Sequence, residues 1–150
     1  MSDQNFDALK LEKQVCFPLY ACARETIKLY KPFLDKLDLT YTQYITMLVL
    51  WEQKHSTVKE LGKILYLDSG TLTPLLKKLE KKGLLTRKRS TEDERNLIVT
   101  ITEQGDKLKD KALYIFDSMC DKVPLTPDES LTLYKLLYKM LVSVDEKNHG

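Results

Sequence analysis

Apolar residues recur at three- and four-residue steps over most of the chain, as amphipathic helices require. Between Leu9 and Tyr30 the series Val15, Cys16, Leu19, Tyr20, Ala23, Ile27 and Tyr30 lines one helical face. Pro18 removes a backbone donor, so this helix either kinks there or starts near Cys16. Lys31-Pro32 predicts its end, because the residue before a proline disfavours helical backbone. Thr40-Tyr41-Thr42-Gln43 reads as a capping box that opens a second helix through Ile45, Leu48 and Trp51. Thr57-Val58-Lys59-Glu60 is another such box, followed by the short apolar set Leu61, Ile64 and Leu65. A fourth helix starts near Asp68-Ser69 and runs to Lys82, with Gly83 as its terminating residue.

The period then changes. Leu84 to Arg89 and Leu97 to Thr102 are short, the second β-branched and alternating, and the polar stretch Ser90 to Asn96 lies between them. This predicts a β-hairpin. Helical period returns from Glu103 through Met119. Thr126-Pro127-Asp128-Glu129 then combines an N-cap, a proline at the first helical position and a capping box. The last helix carries Leu131, Tyr134, Leu137, Tyr138 and Leu141. The expected fold is mainly α with a small β-hairpin wing: a winged helix-turn-helix with N- and C-terminal dimerisation helices. Residues 36–102 form the DNA-binding region, and residues 1–35 and 103–150 the helical dimerisation region. The terminal helices have apolar faces too broad for so short a chain to cover, which predicts a homodimer.

Composition narrows the possibilities. The chain has 150 residues, 43% of them hydrophobic and 31% charged, which suits one globular domain and excludes wholesale disorder. Its net charge of +2 is too small to argue for nucleic acid, so a basic surface must be local. No apolar run reaches the roughly 18 residues of a membrane span, and the first residues lack the apolar core of a signal peptide. The expectation is a cytoplasmic protein without membrane contact. Three cysteines, Cys16, Cys22 and Cys120, then face a reducing compartment, where an odd count argues against a static disulfide framework. His55 and His149 stand at no metal-ligand spacing from a cysteine, so neither a metal site nor a cofactor is expected.

A DNA-reading helix presents short polar side chains and cations near its N-terminus. Ser69, Thr71 and Thr73 supply hydroxyls for phosphates and base edges, while Lys77, Lys78, Lys81 and Lys82 crowd the following turns. Leu72, Leu75, Leu76 and Leu79 form the opposite, core-facing stripe. Taken alone, capping hydroxyls and solvated lysines explain this stretch better. The hairpin tilts the balance. Arg87, Lys88 and Arg89 precede its turn and Arg95 follows it, and arginine suits the negative potential of the minor groove. Asp93 can orient the Arg95 guanidinium through a fork-like ion pair.

The stretch LYLDSGTLTPLLKKLEKKGLLTRKRSTEDERNLIVTITEQG resembles the DNA-binding core of the MarR family of winged-helix repressors, with Asp93-Glu94-Arg95 as its wing element. LEKQVCFPLYACARE and LTYTQYITMLVLWE resemble the organic-hydroperoxide-sensing OhrR-type branch. The likeness spans roughly residues 9 to 122. It implies a non-enzymatic repressor whose partner is an operator in double-stranded DNA and whose inducing oxidant is an organic hydroperoxide. It also implies that the reactive cysteine stands at Cys16, hydrogen-bonded by phenols at the positions of Tyr30 and Tyr41 in the other subunit.

The chemistry fits that implication. Peroxide reacts with thiolate, and a free thiol has a reference pKa of about 8.5. No cation or metal is evident at helical spacing from Cys16. Tyr20, Tyr30 and Tyr41 are the available donors, and a helix N-terminus near Pro18 adds its dipole. Amphipathic packing accounts for most of the tyrosines. The sulfenic acid formed by peroxide condenses with a second thiol. Cys22 lies about 9 Å along the same helix, beyond the roughly 7 Å Cα limit for a bridge, and reads as a small buried residue. The resemblance to two-Cys members implies an intersubunit bridge from Cys16 to Cys120. In one-Cys members a small cellular thiol caps the sensor instead, and that alternative stays open. Three other readings remain: a MarR-type repressor released by a small phenolic ligand, a thiol peroxidase, and a helical interaction protein that binds no DNA.

Overall fold

The computed structural model describes residues 6–149. Two short 3-10 turns, Phe6–Leu9 and Leu11–Lys13, lead into six helices: α1 (Cys16–Asp35), α2 (Tyr41–Gln53), α3 (Val58–Leu65), α4 (Ser69–Lys81), α5 (Glu103–Cys120) and α6 (Pro127–His149). Three strands, β1 (His55–Thr57), β2 (Leu85–Arg89) and β3 (Leu97–Ile101), pair antiparallel in the order β1-β3-β2. The α3–α4 pair followed by the β2–β3 hairpin is a winged helix-turn-helix.

The expected caps form. Thr40 with Gln43 and Thr57 with Glu60 make reciprocal capping boxes on α2 and α3. Asp68 accepts the Thr71 N–H at 2.7 Å to open α4. Glu129 and Thr126 exchange side-chain and backbone bonds at the start of α6. Gly83, at φ +79°, ends α4: its N–H donates to Glu80 and the Leu84 N–H to Leu79, which turns the chain into β2.

Three expectations change. The first concerns α1, which begins at Cys16 with Pro18 in its first turn, where a missing N–H costs nothing. It does not stop at Lys31-Pro32 but continues to Asp35. Pro32 forfeits one bond in the last turn, while Leu34, 2% exposed, anchors that turn in the core. The second is β1, which sequence reading missed because three residues are too few to show alternation. The third is Cys22, which is exposed rather than buried. The reason is shared by the whole N-terminal part of α1: no other element among the described residues covers it.

The core lies between α2, α3, α4, the sheet and the middle of α5. Met47, Leu50, Leu61, Leu72, Leu76, Leu79, Leu85, Val99 and Ile115 are each at most 1% exposed. Each such side chain contributes about 1.5–3 kcal/mol by leaving water. Leu72, Leu76 and Leu79 seat α4 so that its opposite face is free. By contrast, Phe17, Leu19, Tyr20 and Ile27 of α1, Leu113 and Phe116 of α5, and Leu131, Tyr134 and Leu141 of α6 stay exposed. No helix among the described residues is long and apolar enough to cross a membrane.

Candidate DNA interface and thiol site

On α4, Ser69, Thr71, Lys77 and Lys78 are exposed and Thr73 is half-buried. Asp68 caps the helix through the Thr71 N–H, and that bond holds its carboxyl below the usual carboxylate range. Lys82 does not join the lysines of this face. Its ammonium turns to the α1–α2 loop, donating to the Asp38 carbonyl and to Gln43 Oε1 at 3.3 Å.

The wing tip is a built loop. The Ser90 hydroxyl accepts the N–H groups of Glu92 and Asp93, and the Ser90 N–H donates to the Asn96 carbonyl at 2.8 Å. Arg89 braces the loop through the Glu94 carbonyl at 3.0 Å. The Asp93–Arg95 fork is formed: Arg95 Nε lies 3.2 Å and Nη2 3.4 Å from the carboxylate, and the Arg95 N–H adds a third bond. These bonds, led by the guanidinium, hold the Asp93 carboxyl below its ordinary value. The Arg95 side chain itself is 91% exposed.

Arg87 is different. Its side chain is 18% exposed, and its N–H, Nε and Nη2 all donate to Glu80 of α4, the last at 3.0 Å. Arg87 therefore fixes the wing to α4 and is not a free cation at the surface. The exposed wing cations are Lys88, Arg89 and Arg95. Sequence reading missed Lys59 and Lys63, which line one groove together with Ser69 and Arg95. Their only signal was a short cationic helix before α4.

The thiol residues divide into two groups. Tyr30 and Tyr41 meet with ring centroids 5.1 Å apart, and Tyr44 stacks beside Tyr30 at 5.9 Å. The core end of α1 and the first turn of α2 position these rings. Burial, then the phenols of Tyr41 and Tyr44 and the thiol of Cys120, push the Tyr30 pKa up to about 12. Tyr114 meets Phe33 with ring centroids 5.6 Å apart and Lys122 lies over the Phe33 ring at 5.8 Å, so the end of α5 that carries Cys120, its last residue, packs against the end of α1 that carries Tyr30. Cys16 opens the other end of α1, so Tyr30 stands roughly 21 Å from it along the helix axis. Tyr20, one turn from Cys16, carries the Arg24 guanidinium over its ring at 5.2 Å. Cys16 and Cys120 are both exposed. The first N–H groups of α1 have no side-chain cap and leave an electropositive end beside Cys16.

A helix-turn-helix with a charged wing and a reading helix seated by its leucines is the architecture of a winged-helix transcription regulator. The family profile described as transcriptional regulator SarA/Rot matches residues 28–112. An organic hydroperoxide resistance transcriptional regulator from Bacillus subtilis is 49% identical over 97% of this chain and 99% of its own. The HTH-type transcriptional regulator SarZ of Staphylococcus saprophyticus is 43% identical over 85% of this chain and 87% of its own. Among solved structures, reduced AbfR bound to DNA is 32% identical with a TM-score of 0.76, covering 92% of this chain and 96% of that one. Overoxidised AbfR bound to DNA gives 33% and the same score, covering 92% and 97%. The disulfide form gives 30% and 0.67, covering 96% and 98%; AbfR is from Staphylococcus epidermidis. The chain belongs to the MarR-like winged-helix regulators, in their OhrR-type branch, and is a redox-responsive transcriptional regulator rather than an enzyme.

Proposed function

We propose that the chain is a homodimeric repressor that holds a pseudo-palindromic operator when reduced and releases it when an organic hydroperoxide oxidises Cys16. One observation carries this reading. Tyr30, Tyr41 and Cys120 gather at one end of the fold, while Cys16 of the same chain lies a helix length away. Only a second copy can bring a Cys16 to that cluster. The uncovered apolar faces of α1, α5 and α6 support the same dimer.

The Cys16 thiolate attacks the outer peroxide oxygen, the O–O bond breaks, and the alcohol leaves with a proton. The resulting sulfenic acid is attacked by the partner's Cys120, which forms the disulfide and expels water. The bridge draws the dimerisation helices together and alters the spacing of the two α4 helices, whose fit to half-sites is geometric. AbfR is described on DNA both reduced and overoxidised. This favours the bridge, rather than added oxygen atoms, as the releasing event here.

Ser69, Thr71, Thr73, Lys77 and Lys78 read the major groove, and Lys88, Arg89 and Arg95 with Asp93 engage the minor groove and backbone. Operator gel shifts with reduced, peroxide-treated and Cys16→Ser protein test the reading. The serine variant is expected to bind and to stay bound under peroxide; its release by peroxide would overturn the assignment.

A further inference from the structure

Between the tyrosine cluster and the reading helix lies one short polar link. Gln43, 4% exposed, sits between Tyr41 and Tyr44 in the first turn of α2. Its Oε1 accepts two donors: the Thr40 N–H at 3.0 Å, which caps α2, and the ammonium of Lys82 at 3.3 Å. The same ammonium donates to the Asp38 carbonyl and stands 3.5 Å from the Asp38 carboxylate. Asp38 itself is held in left-handed backbone at φ +54° in the loop between α1 and α2. Lys82 is the residue that ends α4, its N–H bonded to the Lys78 carbonyl. Its carbonyl receives the Gln104 side chain at 3.5 Å from the first turn of α5. One side chain thus ties the C-terminal end of the reading helix to the turn that carries Tyr41 and Tyr44.

We propose that Lys82 is a positioning residue that couples the tyrosine cluster to α4, so that a displacement of Tyr41 and Tyr44 moves the reading helix. This rests on the reading that oxidation at the cluster releases DNA. The mechanics follow from the fold. The leucines Leu72, Leu76 and Leu79 hold α4 by apolar contact, which permits small sliding and tilting. Lys82 adds a directional tie at one end of a helix about 20 Å long. When the thiol bridge disturbs the phenols, the first turn of α2 shifts, and its Gln43 and the Asp38 carbonyl carry Lys82 with them. Ser69 and Thr71, at the far end of α4, then leave their register on the groove. A lysine that merely touched DNA phosphate would face solvent on the α4 surface with Lys77 and Lys78. Lys82 instead turns its donors to two acceptors of the protein itself, the Asp38 carbonyl and Gln43 Oε1.

The test is the ratio of operator Kd in the oxidised and reduced states, measured by fluorescence anisotropy at fixed salt for wild type, Lys82→Met and Lys82→Arg. In Lys82→Met the ratio is expected to fall by about tenfold, equivalent to ~1.4 kcal/mol of coupling, while reduced-state affinity stays within about threefold of wild type. Lys82→Arg, which keeps charge and donors, restores the ratio. If Lys82→Met lowers the melting temperature, Lys82→Gln gives the same readout with a donor retained. A wild-type ratio in Lys82→Met, or in Lys82→Gln where that variant stands in for it, overturns the coupling role, including the case where affinity drops equally in both states, as a phosphate contact requires. A wild-type ratio of one overturns the release reading beneath it, and the two failures are distinguished by which protein shows them.

Discussion

Gly105 supports the junction between the wing and α5 with no side chain of its own, and Gly105→Ala is the sharpest test of that packing. A Cβ at this position would lie 2.1 Å from the Leu84 carbonyl oxygen and 3.0 Å from the Ile101 side chain. Ordinary contact begins near 3.4 Å, so the first turn of α5 must retreat by more than an ångström from rigid backbone. Three hydrogen bonds meet there: Gly105 N–H to the Thr102 hydroxyl at 3.0 Å, Trp51 Nε1 to the Gly105 carbonyl at 2.8 Å, and Thr102 N–H to the Leu84 carbonyl at 3.1 Å. Overpacking costs about 1–3 kcal/mol, and weakening such bonds adds about 1 kcal/mol. A total near 3 kcal/mol lowers the melting temperature by roughly 6–12 °C in a chain of this size. Thermal unfolding at equal protein concentration measures it, with emission of Trp51, the single tryptophan, as a local probe. Gly70→Ala is the control, since its added Cβ meets nothing closer than 3.4 Å and alanine gains about 0.5–1 kcal/mol over glycine in a helix. Equal melting of Gly105→Ala and wild type, with unaltered Trp51 emission, would refute the argument.

Other expectations concern the wing and the phenols. Arg95→Ala is expected to weaken operator binding and to reduce the salt slope by ~1, whereas Asp93→Asn, which leaves the cation but loosens its fork, costs less affinity; an unchanged slope for Arg95→Ala would remove the wing from the interface. Raising the pH through the alkaline range destabilises the fold. Unfolded tyrosine ionises near pH 10, while Tyr30 holds its proton to about 12. The stabilisation is therefore complete below about pH 10 and is lost as pH rises towards 12. Burial also raises Tyr41 and Tyr44, so ultraviolet titration should show several late phenols, with the one ionising near 12 lost in Tyr30→Phe; a wild-type curve in which every tyrosine ionises near pH 10 would contradict the buried cluster.

Much of this fold was legible in the residues. The capping boxes at Thr40, Thr57 and Thr126, the Gly83 terminus and the leucine stripe of α4 are local signals, and local hydrogen bonding and periodicity determined the outcome. What escaped was non-local. β1 exists because β3 offers an edge to His55–Thr57, and three residues cannot announce that. α1 passes Pro32 because Leu34 is drawn into a core built by other helices. Arg87 and Lys82 looked like surface cations because sequence spacing carries no trace of Glu80 or of Asp38 and Gln43 as their partners. At the thiol site, Cys16, Tyr30 and Tyr41 entered through family likeness. The separation of Cys16 from Tyr30 along α1 is the physical reason why the proposed switch calls for two chains. Cys22 reads as buried from its size and helical position alone, and it is exposed because it lies on the part of α1 that the described residues do not cover.

The central claim is that Cys16 of one subunit meets the tyrosine cluster and Cys120 of another. Non-reducing electrophoresis after stoichiometric alkyl hydroperoxide tests it, with Cys22→Ser in every chain and Cys16→Ser and Cys120→Ser chains oxidised separately and as co-refolded mixtures. The account predicts that neither variant alone forms a covalent dimer and that the mixture does, through the single remaining Cys16–Cys120 pair. A covalent dimer of the Cys120→Ser chain by itself, or none in the mixture, would contradict it.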